Sequence, residues 1–410
     1  MKPSLCILLL LCGIVSSAVA VDEPPVLVRP QRYSRAFLDQ EGTIVVDDLV
    51  SAAPFRDGYA VAALRGGERV VLDTTGMIVA RDVAPFCSYA GDGIVPFEER
   101  GRIGYRTLDG EVVVEPRFVA GTDFIDGRAV VAHQPDVGTG FFAVIDEQGR
   151  PVFRLPGEPT RRASLSSYSD GVLMWRGSAY DTDGSVLYSL SELEDLVTRA
   201  VIPEEGRIYG FSGAFSLGDV HEGRVRYTVA YRRSQSIGTM SVFRSGYLGI
   251  EGEVVTQAVF NEARPFSSGR AAVRIDGAWG FIDRDGNMAV DARYDEVKDF
   301  VEDLTAVRLD DRWGYIDRDG VVVVEPRFAG AEPFEDGMGL VLVLIDEVWD
   351  EHAYGYVGPN GDMVIEPRFR DARSFRHSLA QVADAEKAGY INKDGTFVWI
   401  HPYFKTVVAP

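Results

Sequence analysis

The chain has 410 residues, 62 Asp+Glu against 42 Lys+Arg, and a formal net charge of -20. A hydrophobic content of 46% excludes global disorder, the acidity argues against a nucleic-acid partner, which needs a basic footprint, and 3 Cys cannot build a disulfide scaffold. A chain of this length ordinarily forms two or three domains unless repeats build one large unit, and 43 Gly beside many Val and aromatic residues point to short strands joined by tight turns.

Residues 1–20 carry Lys2, an apolar run from Leu5 to Val15, and Ala18-Val19-Ala20. That order is the signature of a secretory signal peptide, cleaved after Ala20. The run is too short for a comfortable membrane span, and no later stretch of about 18 apolar residues occurs. Cys12 raises the alternative of a lipoprotein, but Leu11 stands where a small residue is expected. The mature chain is therefore expected in the periplasm or outside the cell. It would keep Cys87 as its one cysteine, and losing Lys2 would take the formal charge from -20 to -21.

From there the chain repeats. Asp285-Gly286 recurs as Asp319-Gly320, Trp279-Gly280 as Trp313-Gly314, and Phe266, Phe300 and Phe334 keep the same interval of 34. Turn glycines mark ten units, at Gly42, Gly76, Gly110, Gly149, Gly184, Gly252, Gly286, Gly320, Gly361 and Gly395. Each unit has three short β-prone runs, such as Ala271–Ile275, 279–283 and 288–292. Asp-Gly between the second and third runs supplies the positive φ of a tight hairpin. One such meander cannot bury its apolar face alone, whereas stacked neighbours can.

Trp-Gly-[Phe/Tyr]-Ile-Asp-x-x-Gly, followed by Glu-Pro-Arg-Phe and Phe-x-x-Gly, resembles the bacterial WG-repeat family. The best copies span 266–300 and 300–334, with further clear units ending at Glu115-Pro116-Arg117-Phe118 and Glu366-Pro367-Arg368-Phe369. Several units depart from the namesake pair: Ile103-Gly104, Tyr354-Gly355 and Ala388-Gly389 replace the Trp, and Ser245-Gly246 loses the aromatic. The resemblance implies a binding or scaffolding module rather than one defined enzyme.

Insertions are the most informative deviation. The usual step from the start of the first run to the Trp-Gly glycine is 11, as from Gly269 to Gly280; it grows to 18 between Gly337 and Gly355, 16 between Gly127 and Ala143, and 23 between Gly223 and Gly246. All three fall in the loop between runs one and two, which in a repeat array projects from one face. One insert sets Trp349 among Asp350, Glu351 and His352; another is basic at Arg232 and Arg233. Trp349 would either anchor a partner or fold back over its own unit. Arg232 and Arg233 would either meet an acidic ligand or form a solvated strand end. Ser191 followed by Glu194, with Leu193, Leu196 and Val197 on one face, predicts a short helix over 191–201. The stretch from Gly184 to Gly252 has the length of two repeats; an insertion is preferred to a decayed eleventh unit.

Chemistry is sparse. The five histidines, His133, His221, His352, His377 and His401, lack metal-ligand spacing. There is no Gly-x-Ser-x-Gly elbow, phosphate loop or dinucleotide fingerprint. Cys87 follows Pro85-Phe86, the slot of Phe266 and Phe334, and reads as a small buried thiol rather than a nucleophile. Asp-x-x-Gly reads as hairpin turn rather than calcium loop. In Glu-Pro-Arg, Pro would end an edge strand while Arg pairs with a neighbouring unit's carboxylate.

The expected protein is thus all-β: about ten three-stranded antiparallel meanders, propeller-like or an open curved solenoid, with one inserted helix. It divides into a signal peptide (1–20), units one to five (21–190), an inserted helix and loop (191–222) and units six to ten (223–410). The first unit shows only 37–46, so a propeller would need its opening strand from the C-terminal end, around 406–408. The expected function is non-catalytic binding or scaffolding of a protein or cell-envelope component, without cofactor or metal. The alternatives are an envelope hydrolase using carboxylates in a central pocket or groove, and a purely structural spacer.

Overall fold

The computed structural model describes residues 26–31, 34–135, 138–159, 165–189, 191–193, 208–235, 238–346 and 351–401. It is an all-β propeller of nine antiparallel sheets, and all ten expected hairpins are present. Seven sheets have four strands, one has three, and units one and two share a six-stranded sheet through the pairing of Ile44–Ala52 with Tyr59–Leu64. The units are therefore mostly four-stranded, not three-stranded. In five of the seven four-stranded sheets the extra strand, such as Glu262–Ala263, Glu296–Val297 or Asp371–Ala372, is two residues long, too short to leave a periodic trace in sequence.

The Asp-x-x-Gly hairpins are built by the carboxylate itself. Asp283 Oδ1 accepts from the amides of Asp285 and Asn287, both at 2.9 Å, while Gly286 takes φ 84°. Asp317 does the same, and in unit ten Asn392 replaces the acid. Burial alone would raise the Asp283 carboxyl, but hydrogen bonds from the Asn287 and Asp285 amides outweigh it and hold it below the usual carboxylate range. Because the folded value is depressed, this contribution is complete above the unfolded carboxylate pKa and is lost as pH falls through the folded one. Asp283→Ala is expected to cost about 1 kcal/mol at neutral pH and less in acid, and Asp283→Asn only a fraction of that, measured by urea unfolding across pH.

Five units also carry an aromatic pair 19 residues apart. Tyr315 meets Phe334 edge-on at 4.8 Å and donates from its hydroxyl to the Glu332 carbonyl at 2.9 Å; Tyr105 with Phe124 and Tyr356 with Phe375 repeat the pair. Since the Phe and the accepting carbonyl belong to the next unit, the pair welds neighbours together. On the same interfaces, the acid of the Phe-x-Asp-Gly turn accepts an amide from the following unit: Asp92 from Gly127, Asp126 from Gly171, Glu222 from Gly269, Glu302 from Gly337. Part of the net acidity is thus committed to a belt of inter-unit hydrogen bonds.

The ring closes. All the hairpin glycines but Gly110 pack on the last strand of the preceding unit: Gly76 on Val45 and Val46, Gly149 on Val114, Gly286 on Val255, Gly361 on Val324. Gly42 of unit one repeats this contact with Val398 of unit ten. Ala36 and Leu38 share a buried cluster with Leu379 and Tyr390, flanked by Val398 and Trp399. The open-solenoid alternative is thereby set aside. Unit one takes its opening strand from its own side, Val26–Gln31, which pairs with Ser34–Leu38; the proposed filler at 406–408 lies outside the described residues.

The helix expected over 191–201 is helical at 191–193, and the rest lies outside the described residues. Residues 208–221, read from sequence as inserted loop, instead form the long strand Ile208–His221. The added length between Gly184 and Gly252 lengthens three strands of unit six, and no eleventh hairpin occurs among the described residues.

Candidate functional site

The Trp-Gly and Glu-Pro-Arg motifs prove to be two halves of one device. Tyr315 pairs with Val324 but Trp313 with Phe328, so Glu325-Pro326-Arg327 bulges out of an edge strand. A Cβ on Gly314 would stand 2.7 Å from the Pro326 nitrogen, and one on Gly355 2.9 Å from that of Pro367. Glycine gives the bulge its room. The arginine does not seek a carboxylate as expected. Arg117 donates to the carbonyl of Gly149 at 2.9 Å, and Arg327 to that of Gly361 at 3.2 Å, because the next unit's turn brings that carbonyl over the bulge.

The tryptophans fill the interfaces between units. Trp279 is buried, with the Arg264 guanidinium 4.6 Å above its ring; Trp313 lies under Lys298. Arg264 then crosses to the next unit, donating to the Val297 carbonyl at 3.0 Å and pairing with Asp299 at 3.3 Å. Trp and Arg together close the gap between units seven and eight.

At two junctions where the pair is lost, a cleft opens. Between units nine and ten the slot holds Tyr354, and Glu332 stands in place of Arg264 and turns back to Lys298. A cleft of about 560 Å³ results, lined also by Asp371, Arg373, Arg376 and Tyr390. Arg376 pairs with Glu335 at 3.3 Å across it. Between units three and four the slot holds Ile103, and the cleft of about 540 Å³ is lined by Phe86, Ser88, Glu98, Thr122 and Asp123.

Asp123 is the acid that matches Asp299 in the repeat, and it is buried, at 7% exposure. Its Oδ2 accepts from the Ser88 amide at 2.9 Å, the Ser88 hydroxyl at 2.8 Å and the Tyr89 amide at 3.1 Å. Its Oδ1 is buried without a hydrogen-bond partner. Burial pushes the Asp123 carboxyl up, only partly offset by Ser88, the Cys87 thiol and Tyr89. Burial first, then the Asp123 charge, likewise pushes up the neighbouring Cys87 thiol. Cys87 lies in the core as expected, but Phe86 before it does not occupy the Phe266 slot. Gly93, three residues after buried Ala90, fixes the register, so Ala90 matches Phe266 and Phe86 stays on the surface at 39% exposure.

The insertions of units six and nine lengthen paired strands, whereas that of unit four lies between the strands Arg128–His133 and Phe141–Asp146. In unit six, Arg224–Gln235 and Gly238–Gly249 pair along their whole length, from Arg224 opposite Gly249 to Gln235 opposite Gly238. Arg232 and Arg233 stand in this ribbon, opposite Ser241 and Met240. In unit nine, Met338–Asp346 pairs with Glu351–Val357, and His352 stands opposite Leu344. Trp349 and Asp350 lie outside the described residues. Strands of an antiparallel unit alternate in direction, so these hairpin tips leave the ring on the rim opposite the Asp-x-x-Gly turns. The described ones among the expected site residues, Arg232, Arg233 and His352, are therefore on two separate ribbons, in units six and nine. Sequence reasoning missed Asp123, Ser88 and Ile103; the signal available was Ile103 standing in the Trp slot. Among the described residues, no group of three His, Cys, Asp or Glu is placed to hold a metal ion.

The family model described as WG containing repeat matches residues 246–277, 279–313, 313–349 and 354–386. No curated protein matches the chain. Among solved structures, a eukaryotic initiation factor is similar at 11% identity over 84% of this chain and 87% of that one, with a TM-score of 0.39. The WD40 domain of SCAP from fission yeast is similar at 7% identity over 86% and 96%, with a TM-score of 0.25. The C-terminal WD40 domain of Sif2 is similar at 11% over 84% and 96%, with a TM-score of 0.28.

Proposed function

The chain is a WG-repeat protein, and from that premise we propose that it is an exported, non-catalytic binding or scaffolding module for a protein or cell-envelope component. The observation that carries this reading is the placement of the insertions. The core and the turn acids are consumed in holding the ring, while the added residues of units six and nine build paired ribbons on one rim. These ribbons carry exposed apolar side chains, Phe243 at 56% and Ile345 at 55%. Lone exposed apolar residues are ordinary, but two on ribbons that leave a single rim give a partner something to grip.

The test uses the mature chain as bait in an envelope extract, with and without residues 346–352. The reading expects the shortened ribbon to leave the circular dichroism spectrum and melting temperature unchanged while the captured partner is lost. Equal capture by both forms would remove the role given to this ribbon. The export half is read from the mass of the chain recovered outside the cytoplasm, which is expected to begin at Val21.

A further inference from the structure

The cleft between units three and four is a cation's place with the cation removed. At the matching place between units seven and eight, Asp299 faces Arg264, whose guanidinium also lies over Trp279. Between units three and four the acid remains as Asp123, while the arginine position holds Ser88 and the tryptophan position Ile103. Ser88 and the Tyr89 amide satisfy Oδ2, and Oδ1 has no hydrogen-bond partner, with the Cys87 thiol the other polar group beside the carboxyl. The cleft's walls carry two carboxylates, Asp123 and Glu98, an aromatic face in Phe86, and neither lysine nor arginine. Arg69 is close by, but donates to the Cys87 carbonyl at 2.6 Å. A buried carboxylate without a counter-charge is costly, and a cation that enters its cavity recovers that cost.

We propose that this cleft is a binding site for a guanidinium or ammonium group borne on a peptide side chain, seated against Asp123 with Phe86 and Glu98 at the mouth. The planar guanidinium, able to offer two donors and to lie against an aromatic face, is the better fit, as Arg264 demonstrates within the same molecule. The site is separate from the ribbons of units six and nine and does not rest on the role given to them.

The experiment is calorimetric titration of the mature protein at low salt with an end-blocked Gly-Arg-Gly peptide, its Lys counterpart, and its citrulline counterpart, which keeps the shape and loses the charge. The arginine peptide is expected to bind, the lysine peptide more weakly, and the citrulline peptide at least about tenfold more weakly than arginine. Asp123→Asn is expected to abolish the difference between arginine and citrulline. The double variant Ser88→Arg, Ile103→Trp rebuilds the unit-seven pair and is expected to fill the cleft, losing all binding while raising the melting temperature; it keeps the test open should Asp123→Asn fail to fold. Absence of arginine binding to the wild type, equal binding of arginine and citrulline, or undiminished binding to the double variant would each overturn the proposal.

Discussion

Gly280→Ala is expected to destabilise the protein by about 3 kcal/mol, the upper range for overpacking a filled site. The added methyl would stand 2.5 Å from the Val290 carbonyl oxygen and 2.7 Å from the Ala292 nitrogen. Both are backbone atoms of the bulged edge strand, so no side-chain rotation relieves the clash. The strand must withdraw, taking with it the seat of the next unit's hairpin on Val290. Gly58 is the control: it has φ +83 but nothing within 4 Å of its missing Cβ, so Gly58→Ala carries backbone strain alone, roughly 1–2 kcal/mol. Urea unfolding of both variants separates the two roles of glycine. Equal losses would mean that close approach is not what the Trp-Gly glycine provides.

Leu38→Asp is expected to cost about 4 kcal/mol and to open the ring. Leu38 is fully buried at the seam, in the cluster that holds Ala36, Leu379 and Tyr390. A carboxylate there has no partner in the apolar cluster and pays the cost of an uncompensated buried charge. At the other junctions the chain runs on from one unit into the next, whereas units one and ten meet across the seam without chain continuity, through this cluster and the Gly42–Val398 contact. The variant should therefore lose the closed shape before its units lose their strands, seen as a larger hydrodynamic radius with a retained β spectrum. Met77→Asp, at a residue 65% exposed, should change neither.

The repeat carried most of this architecture openly. Asp-Gly and Trp-Gly at a step of 34 set the pattern that led to the ten turn glycines, because turn chemistry is local and written in adjacent residues. The two-residue strands were hidden, being too brief to alternate. The pairing of Val26–Gln31 with Ser34–Leu38 was hidden too, since that hairpin lacks the repeat's turn signature. The seam joins Gly42 to Val398, a contact that no local pattern encodes. Arg117 and Arg327 show a subtler limit: sequence identifies a charged donor, but its acceptor was a carbonyl, which every residue owns. The cleft at Asp123 lay in the degenerate units, where loss of the motif reads as noise until the structure aligns Ser88 with Arg264. Ile103-Gly104 was visible as a departure; its meaning needed the neighbour across the interface.

Small-angle scattering on the wild-type chain from residue 21 onward tests the closed ring most directly. Packed sheets lie about 10 Å apart, so ten units in an open array would extend to roughly 100 Å, whereas the same units closed on themselves span roughly 60–70 Å. A largest dimension near the smaller value, with a distance distribution that is symmetric as for a disc, is the predicted result. An asymmetric distribution with a tail to about 100 Å would contradict it.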